Sequence, residues 1–394
     1  MTRRHDIDAM RAIAFALLIA FHVGMFYVAD WDWHVKSVHT AEWLQWPMLF
    51  LNRWRMDLIF MISGMASAFM LKPDRIWAFV RSRNARLLIP LVFGILVVVP
   101  IQPYAQGVSN GAVEPGFWSF LTQYYSGKRW PEHAFDGWEH GFTWNHLWYL
   151  AYLWFYTLAL ALLAKPLASR AGQALTARLT GLKGWALLVL PALPLIAYAL
   201  LLQSRFPDRG DFFHDWHRNA VYFTVFVYGY LVARADGFWA EAARLRWLSL
   251  GVALGAFAVY APCVAWWPDD ASAIAIAAVR SVRVMYTWTM LLAILGWGHV
   301  LLNRPFRWLP WANESVYPWY VLHQSLIVGL GFFFAGWKLG PVLEPTLILA
   351  CSVLGCWAIT EVVKQVDWLR PLLGMHRVGK RREVSAASRI GSTA

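Results

Sequence analysis

An all-α, polytopic membrane protein with about ten transmembrane helices in one bundle is what three features of this sequence predict. Only 15% of the 394 residues are charged and 59% are hydrophobic, against about 25% charged in soluble globular domains. Apolar runs long enough to cross a bilayer, about 20 residues each, recur along the whole chain. Lys and Arg cluster in alternate connections between those runs, as membrane topology requires.

The runs fall at roughly 10–28, 54–71, 87–104, 144–164, 185–203, 219–234, 247–267, 273–300, 314–336 and 343–363. Arg3 and Arg4 before the first run resemble the opening of a signal peptide. The run is too long for one, holds His22, lacks a small-residue cleavage site and is followed by further spans. It is expected to be the first transmembrane helix. Cys263, Cys351 and Cys356 all lie in apolar runs, which points to neither a disulfide framework nor a zinc site. No internal repeat is evident. Residues 1–368 are expected to form one membrane-embedded domain, and 369–394 a basic, disordered cytoplasmic tail.

Of the 35 Lys and Arg, 23 fall on the side of the N-terminus and 9 on the other, with Arg11, Arg280 and Arg283 inside spans. The formal net charge of +12 therefore reflects topology rather than nucleic-acid binding, with both termini expected in the cytoplasm. The loops 29–53, 105–143 and 204–218 fall outside, and their Trp, Tyr and His suit stacking against sugar rings. Interfacial anchoring would explain the same aromatics.

Ionisable groups inside a span cost about 2.5 kcal/mol or more each and so mark function. In the first span, eleven residues separate Arg11 from His22, which returns to within about 20° on a helix after a rise of roughly 16 Å. Asp8, three residues before Arg11, is placed to orient its guanidinium. A buried structural histidine would share this spacing. Arg83 and Arg86 stand at i,i+3 at the cytoplasmic end of the third span, where paired guanidinium forks suit phosphate; positive-inside anchoring is the competing explanation. Glu314, Tyr317, Tyr320 and His323 recur at three-residue steps in the ninth span, and Arg280 and Arg283 add deep cations in the eighth. Deep ionisable groups on three helices suggest a shared cavity.

These residues carry a resemblance to the acyltransferase 3 family. The order Asp8, Arg11, His22 (D-x-x-R-x10-H), the Arg83–Arg86 pair, Ile62-Ser63-Gly64, His146-Leu147-Trp148-Tyr149-Leu150 and Tyr320-Val321-Leu322-His323 is similar to that family's motifs. Trp33 to Ser37, with Phe50 to Gly64 around Arg55-Met56, is similar to the branch that acylates osmoregulated periplasmic glucans.

The resemblance implies a ten-helix inner-membrane enzyme using cytoplasmic acyl-coenzyme A, succinyl or acetyl, as donor substrate, with no permanently bound cofactor and no metal. The acceptor would be a hydroxyl of a periplasmic glucan or other envelope carbohydrate, with other glucan-synthesis proteins as partners. Some family members carry an extra extracytoplasmic domain; this chain shows none, so it is expected to deliver the acyl group directly or hand it to another protein.

On the resemblance, Arg83 and Arg86 would hold coenzyme A phosphates and Arg11, ordered by Asp8, would line the pantetheine path. His22 would act as general base or carry the acyl group. Tyr320 and His323 would hydrogen-bond the thioester oxyanion. Trp33, His34, Arg55, His146 and Glu314 would line the carbohydrate site, and Arg280 or Arg283 would meet a succinyl carboxylate. O-acetylation of another envelope polysaccharide, and a polar-solute transporter or flippase, are the alternatives.

Overall fold

A computed structural model describes residues 4–207, 210–266, 268 and 270–378. Fourteen α-helices make up most of it: α1 (His5–Gly24), α2 (Gln45–Met70), α3 (Ile76–Phe93), α4 (Ile101–Ser109), α5 (Phe117–Tyr124), α6 (Trp148–Ala168), α7 (Arg170–Thr180), α8 (Gly184–Val189), α9 (Ala192–Leu201), α10 (Trp216–Val232), α11 (Asp236–Ala265), α12 (Ala273–Leu302), α13 (Leu309–Phe334) and α14 (Gly340–Gln365). The chain is 75% helical and has no β-strand among the described residues, so the all-α membrane architecture holds.

Among the described residues, seven segments are long and apolar enough to cross a membrane: α1, α3 with α4, α6, α8 with α9, α11, α12 and α14. The other three expected spans are helical but fall short, each for a visible reason. Helix α10 has 17 residues. Helix α2 carries Arg53, Arg55 and Asp57, and α13 holds Glu314, His323 and Gln324. Two of the three segments with weak apolar signal are thus the ones with polar groups in their interiors.

The third span is not one regular helix. Residues Gly94–Val98 between α3 and α4 form a π-helical turn, an element that is rare and frequent at functional sites. At Gly94 a Cβ would stand 2.3 Å from Leu147 Cδ1, so any larger residue would have to displace that leucine tip.

The chain divides into two compact units. Unit 1 comprises residues 1–14, 46–80 and 155–309, and unit 2 comprises 15–45, 81–154 and 310–394. In unit 1, α2 and α10 touch backbone to backbone. A Cβ on Gly64 would lie 1.9 Å from the Phe226 carbonyl oxygen, and one on Gly229 would lie 1.9 Å from that of Met61. Small residues at such crossings allow the dispersion contact that replaces the hydrophobic effect in lipid. Gly229→Val is therefore expected to cost at least the about 3 kcal/mol at the upper end of overpacking penalties. Its signature would be a lower melting temperature and less monodisperse protein after extraction; an unchanged melting temperature would refute the contact. The start of α1 is fixed in the same unit by buried Asp6, which accepts from Arg4 at 2.6 and 3.0 Å and pairs with His299 Nδ1 at 2.8 Å.

Unit 2 holds two apolar cores. One gathers Ile19, Val23, Phe26, Val35, Ile327 and Val328, with Trp33 and Trp319 packed against it. The other lies within the long loop before α6, where Phe120, Tyr124, Trp130 and Phe135 pack on one another. Those four aromatics build the loop's interior, whereas Trp118, Tyr125 and Phe142 stay exposed on it. Residues Leu369–Met375, placed in the tail by sequence, belong to the fold: Arg370–Leu373 make a 3-10 turn, and Arg370 is only 4% exposed. Residues 379–394 lie outside the described residues.

Candidate active site

Two imidazoles on different helices meet in unit 2. His22 Nδ1, near the end of α1, lies 2.9 Å from His323 Nε2 in the middle of α13. Their protonation follows from the backbone. His323 Nδ1 faces the carbonyl oxygens of Trp319 at 3.0 Å and Tyr320 at 2.8 Å. Carbonyls only accept, so Nδ1 carries the hydrogen and Nε2 the lone pair. His22 Nδ1 must then donate to His323, which leaves the basic lone pair of His22 on Nε2. One histidine sets the tautomer of the other, the orienting role that a carboxylate fills in many catalytic triads. A neutral partner suits a span, where a second charge would be costly.

Trp33 lies parallel to the His22 ring, with centroids 5.5 Å apart and planes 17° from parallel. Its Nε1 is buried and donates to nothing. Trp33 and His34 are held by the loop after α1, which Lys36 pins. Its ammonium donates to the carbonyls of Met25 at 3.1 Å, Trp31 at 3.0 Å and Val28. Burial pushes the Lys36 pKa down, and Asp32 and Asp30 oppose that shift.

Beside the imidazoles runs a network of buried amides, hydroxyls and imidazoles. Gln102, fully buried on α4, donates to His146 Nδ1 at 3.2 Å and to Ser325 Oγ at 2.7 Å. Its oxygen accepts from Asn145 at 3.1 Å and from Gln324 at 3.0 Å. Gln324 also donates to His34 Nε2 at 3.1 Å. His34 Nδ1 then donates to Gln106 Oε1 at 2.9 Å, with the Asp136 carboxylate 3.3 Å away. Sequence reasoning missed Gln102, Gln106, Gln324 and Ser325 because it weighed ionisable groups only. Buried amides in an apolar run were the available signal, since each must find partners in a bilayer.

This network corrects two expected roles. The single hydroxyl hydrogen of Tyr320 goes to the His146 carbonyl, so it is spent on backbone and unavailable to an oxyanion. His323 likewise has both ring nitrogens committed, and it positions His22 instead. His146 donates from Nε2 to the Val321 carbonyl at 3.0 Å and accepts from Gln102, which leaves its ring no polar atom for a carbohydrate. It fixes α13 beside the pair, its ring edge-on to His323 at 5.2 Å and 87°.

The N-terminal end of α13 carries a second polar cluster of unit 2. Tyr317 and His323 are six residues apart, about 9 Å along the axis. Arg86 stacks over the Tyr317 ring at 5.5 Å, and its Nη1 lies 3.1 Å from His376 Nε2. Arg83 is buried, at 6% exposure, one helical turn away. Glu314 belongs here and not with the sugar-binding candidates, because it pairs with Arg370 at 2.5 Å. Arg370 also donates to the carbonyls of Lys364 and His376 and so holds the final segment against α13. Gly374, at φ +74°, lets that segment turn over Tyr317, where a Cβ would sit 2.3 Å from the ring. Arg370 and His376 went unseen in the sequence because both fell in the expected tail.

The remaining candidates lie in unit 1. Asp8 and Arg11 do pair, at 3.4 Å, and α1 is continuous from them to His22, so the shared helix face stands. Arg55 is buried at 8% exposure beside Tyr222, inside the unit rather than on an outer surface. Arg280 and Arg283 donate to the Ala199 carbonyl at 3.3 Å and to Gln203 Oε1 at 2.7 Å.

Residues 4–361 match the model of an acyltransferase domain, that of the acyltransferase 3 family. Glucans biosynthesis protein C of Escherichia coli strain SMS-3-5, and that of strain K12, are each 23% identical over 401 residues, covering 96% of this chain and 95% of theirs. No solved structure matches. With the family's model covering nearly all of its length, the chain belongs to the acyltransferase 3 family and is a membrane acyltransferase.

Proposed function

We propose that this enzyme takes an acyl group from coenzyme A at the N-terminal end of α13 and transfers it to a hydroxyl of an envelope carbohydrate. The single observation that carries the chemistry is the His22–His323 pair, whose hydrogen bond leaves His22 Nε2 as the base. The acceptor O–H loses its proton to that nitrogen as its oxygen bonds the thioester carbon. The carbonyl oxygen takes up negative charge, and the buried indole N–H of Trp33 is the donor at hand to stabilise it. Collapse of the tetrahedral intermediate breaks the C–S bond, and His22 returns its proton to the departing thiolate. Attack by His22 Nε2 itself, forming an acyl-imidazole before the sugar enters, uses the same geometry.

The phosphate end of the donor is assigned to Arg83 and Arg86, with His376 beside them. Arg86 lies over Tyr317, about 9 Å along α13 from His323, which suits a donor whose charged end stays at the membrane surface while its thioester reaches inward. The cation bias of the connections supports an inner-membrane enzyme with both termini in the cytoplasm. The similarity to glucans biosynthesis protein C supports a glucan as acceptor; a periplasmic location for it and a succinyl or acetyl cargo extend the motif resemblance. Purified enzyme given acyl-coenzyme A and glucan should release free thiol and yield a glucan heavier by one acyl unit. Thiol release with no acylated glucan would move the acceptor to another envelope polysaccharide. The absence of any thiol release would end the acyltransfer reading in favour of transport.

A further inference from the structure

Unit 1 contains a group of cations that the reaction above does not use. Arg53 and Asp57 sit at i,i+4 on one face of α2, and Arg280 and Arg283 at i,i+3 on one face of α12. Hydrogen bonds lock the two helices together here: Tyr286 donates to the Phe50 carbonyl at 2.7 Å and Thr287 to the Arg53 carbonyl at 3.1 Å. Arg283 consequently lies within electrostatic reach of Arg53, Arg280 and Asp57. Arg283 thus stands among the guanidiniums of Arg53 and Arg280 and the Asp57 carboxylate.

A structural ion network would pair these charges, and it does not. Among the described residues none of the three arginines forms a salt bridge. Arg283 and Arg280 donate to neutral oxygens, of Gln203 and Ala199. Arg53 lies over the Tyr260 ring at 5.6 Å, and its buried Nε donates to nothing. The Asp57 carboxylate, 6% exposed, has an oxygen, Oδ1, that accepts nothing. Uncompensated charge within a span costs several kcal/mol and persists where a ligand completes it.

We infer that Arg53, Arg280 and Arg283 form an oxyanion-binding site in unit 1, with Asp57 accepting a hydrogen from a protonated oxygen or hydroxyl of the ligand. Three guanidinium forks match the geometry of phosphate or carboxylate. The site lies in the N-terminal half of α2 and of α12, toward the outer side in the orientation proposed above. Either a water-soluble oxyanion or the phosphate of an anionic lipid could reach it.

The test is the melting temperature of the full chain. In detergent, inorganic phosphate and succinate are titrated at constant ionic strength. In nanodiscs, phosphatidylglycerol is compared with phosphatidylcholine. A ligand that binds only the folded state raises the melting temperature with the logarithm of one plus its concentration over Kd. Stabilisation by phosphate or succinate that follows this dependence, with an apparent Kd weakened at least tenfold in Arg53→Gln and in Arg283→Gln and partly kept in Arg283→Lys, would identify a soluble oxyanion. Stabilisation by phosphatidylglycerol alone, lost in the same variants, would identify a lipid headgroup. Stabilisation absent in both settings, or undiminished in the two Gln variants, would overturn the site. Thiol release from acyl-coenzyme A is measured in parallel, so that failure here remains distinct from failure of the acyltransfer reading.

Discussion

Replacing His22 with Ala should abolish acyl transfer while the protein remains folded and membrane-inserted. A positioned general base contributes about 10²–10⁴-fold, and the loss should appear in kcat with little change in KM for the donor. His22 is near one end of α1, so removing its ring leaves the buried Asp6 anchor at the other end intact. His323 supplies the control. His323→Leu removes the acceptor of the His22 Nδ1 hydrogen, which frees the His22 ring to turn and change tautomer. His323→Gln puts an amide oxygen in reach and should recover part of the loss. That ordering, with His22→Ala lowest, His323→Leu next and His323→Gln partly restored, separates an orienting partner from a packing residue. Normal transfer by His22→Ala would refute the base assignment. Equal loss in His323→Gln and His323→Leu would refute the tautomer argument.

The double change Arg83→Ala with Arg86→Ala should weaken acyl-coenzyme A binding by about 10²–10⁴-fold, since hydrogen bonds to charged groups contribute about 1.5–3 kcal/mol each. The effect should appear in KM and in directly measured affinity, and rising salt should lower the wild-type affinity toward the variant's. Acyl transfer at saturating donor should largely persist, because these groups lie on a different turn set from the imidazoles. Arg86→Lys keeps the charge but loses the fork and should fall between. An unchanged dissociation constant in the double variant would remove the phosphate assignment. A collapsed melting temperature would instead assign Arg83, buried as it is, to the fold.

Much of the site was legible in the order of residues alone. His22 stood out as an imidazole inside an apolar run, and His323 as the last member of a three-residue polar repeat. What the repeat could not convey was the division of labour along α13. Glu314 and Tyr317 share its face with His323 yet lie turns away, among Arg86, Arg370 and His376. Tyr320, between the two groups, spends its hydroxyl on backbone. The amides of Gln102 and Gln324 escaped notice because uncharged side chains barely disturb an apolar run, although their buried hydrogens needed partners just as urgently.

By itself the sequence determined the all-α membrane architecture, the family and the residue types of the chemistry. The architecture depends on period and composition and the family on the resemblance of its motifs, all of which can be read from a single chain in order. Only the tertiary structure decided that two imidazoles 301 positions apart share a hydrogen, which of them keeps the basic lone pair, and that the segment after α14 folds onto α13. Each of those outcomes depends on where a donor on one helix finds an acceptor on another. No local rule encodes that distance; it is set by how the helices pack.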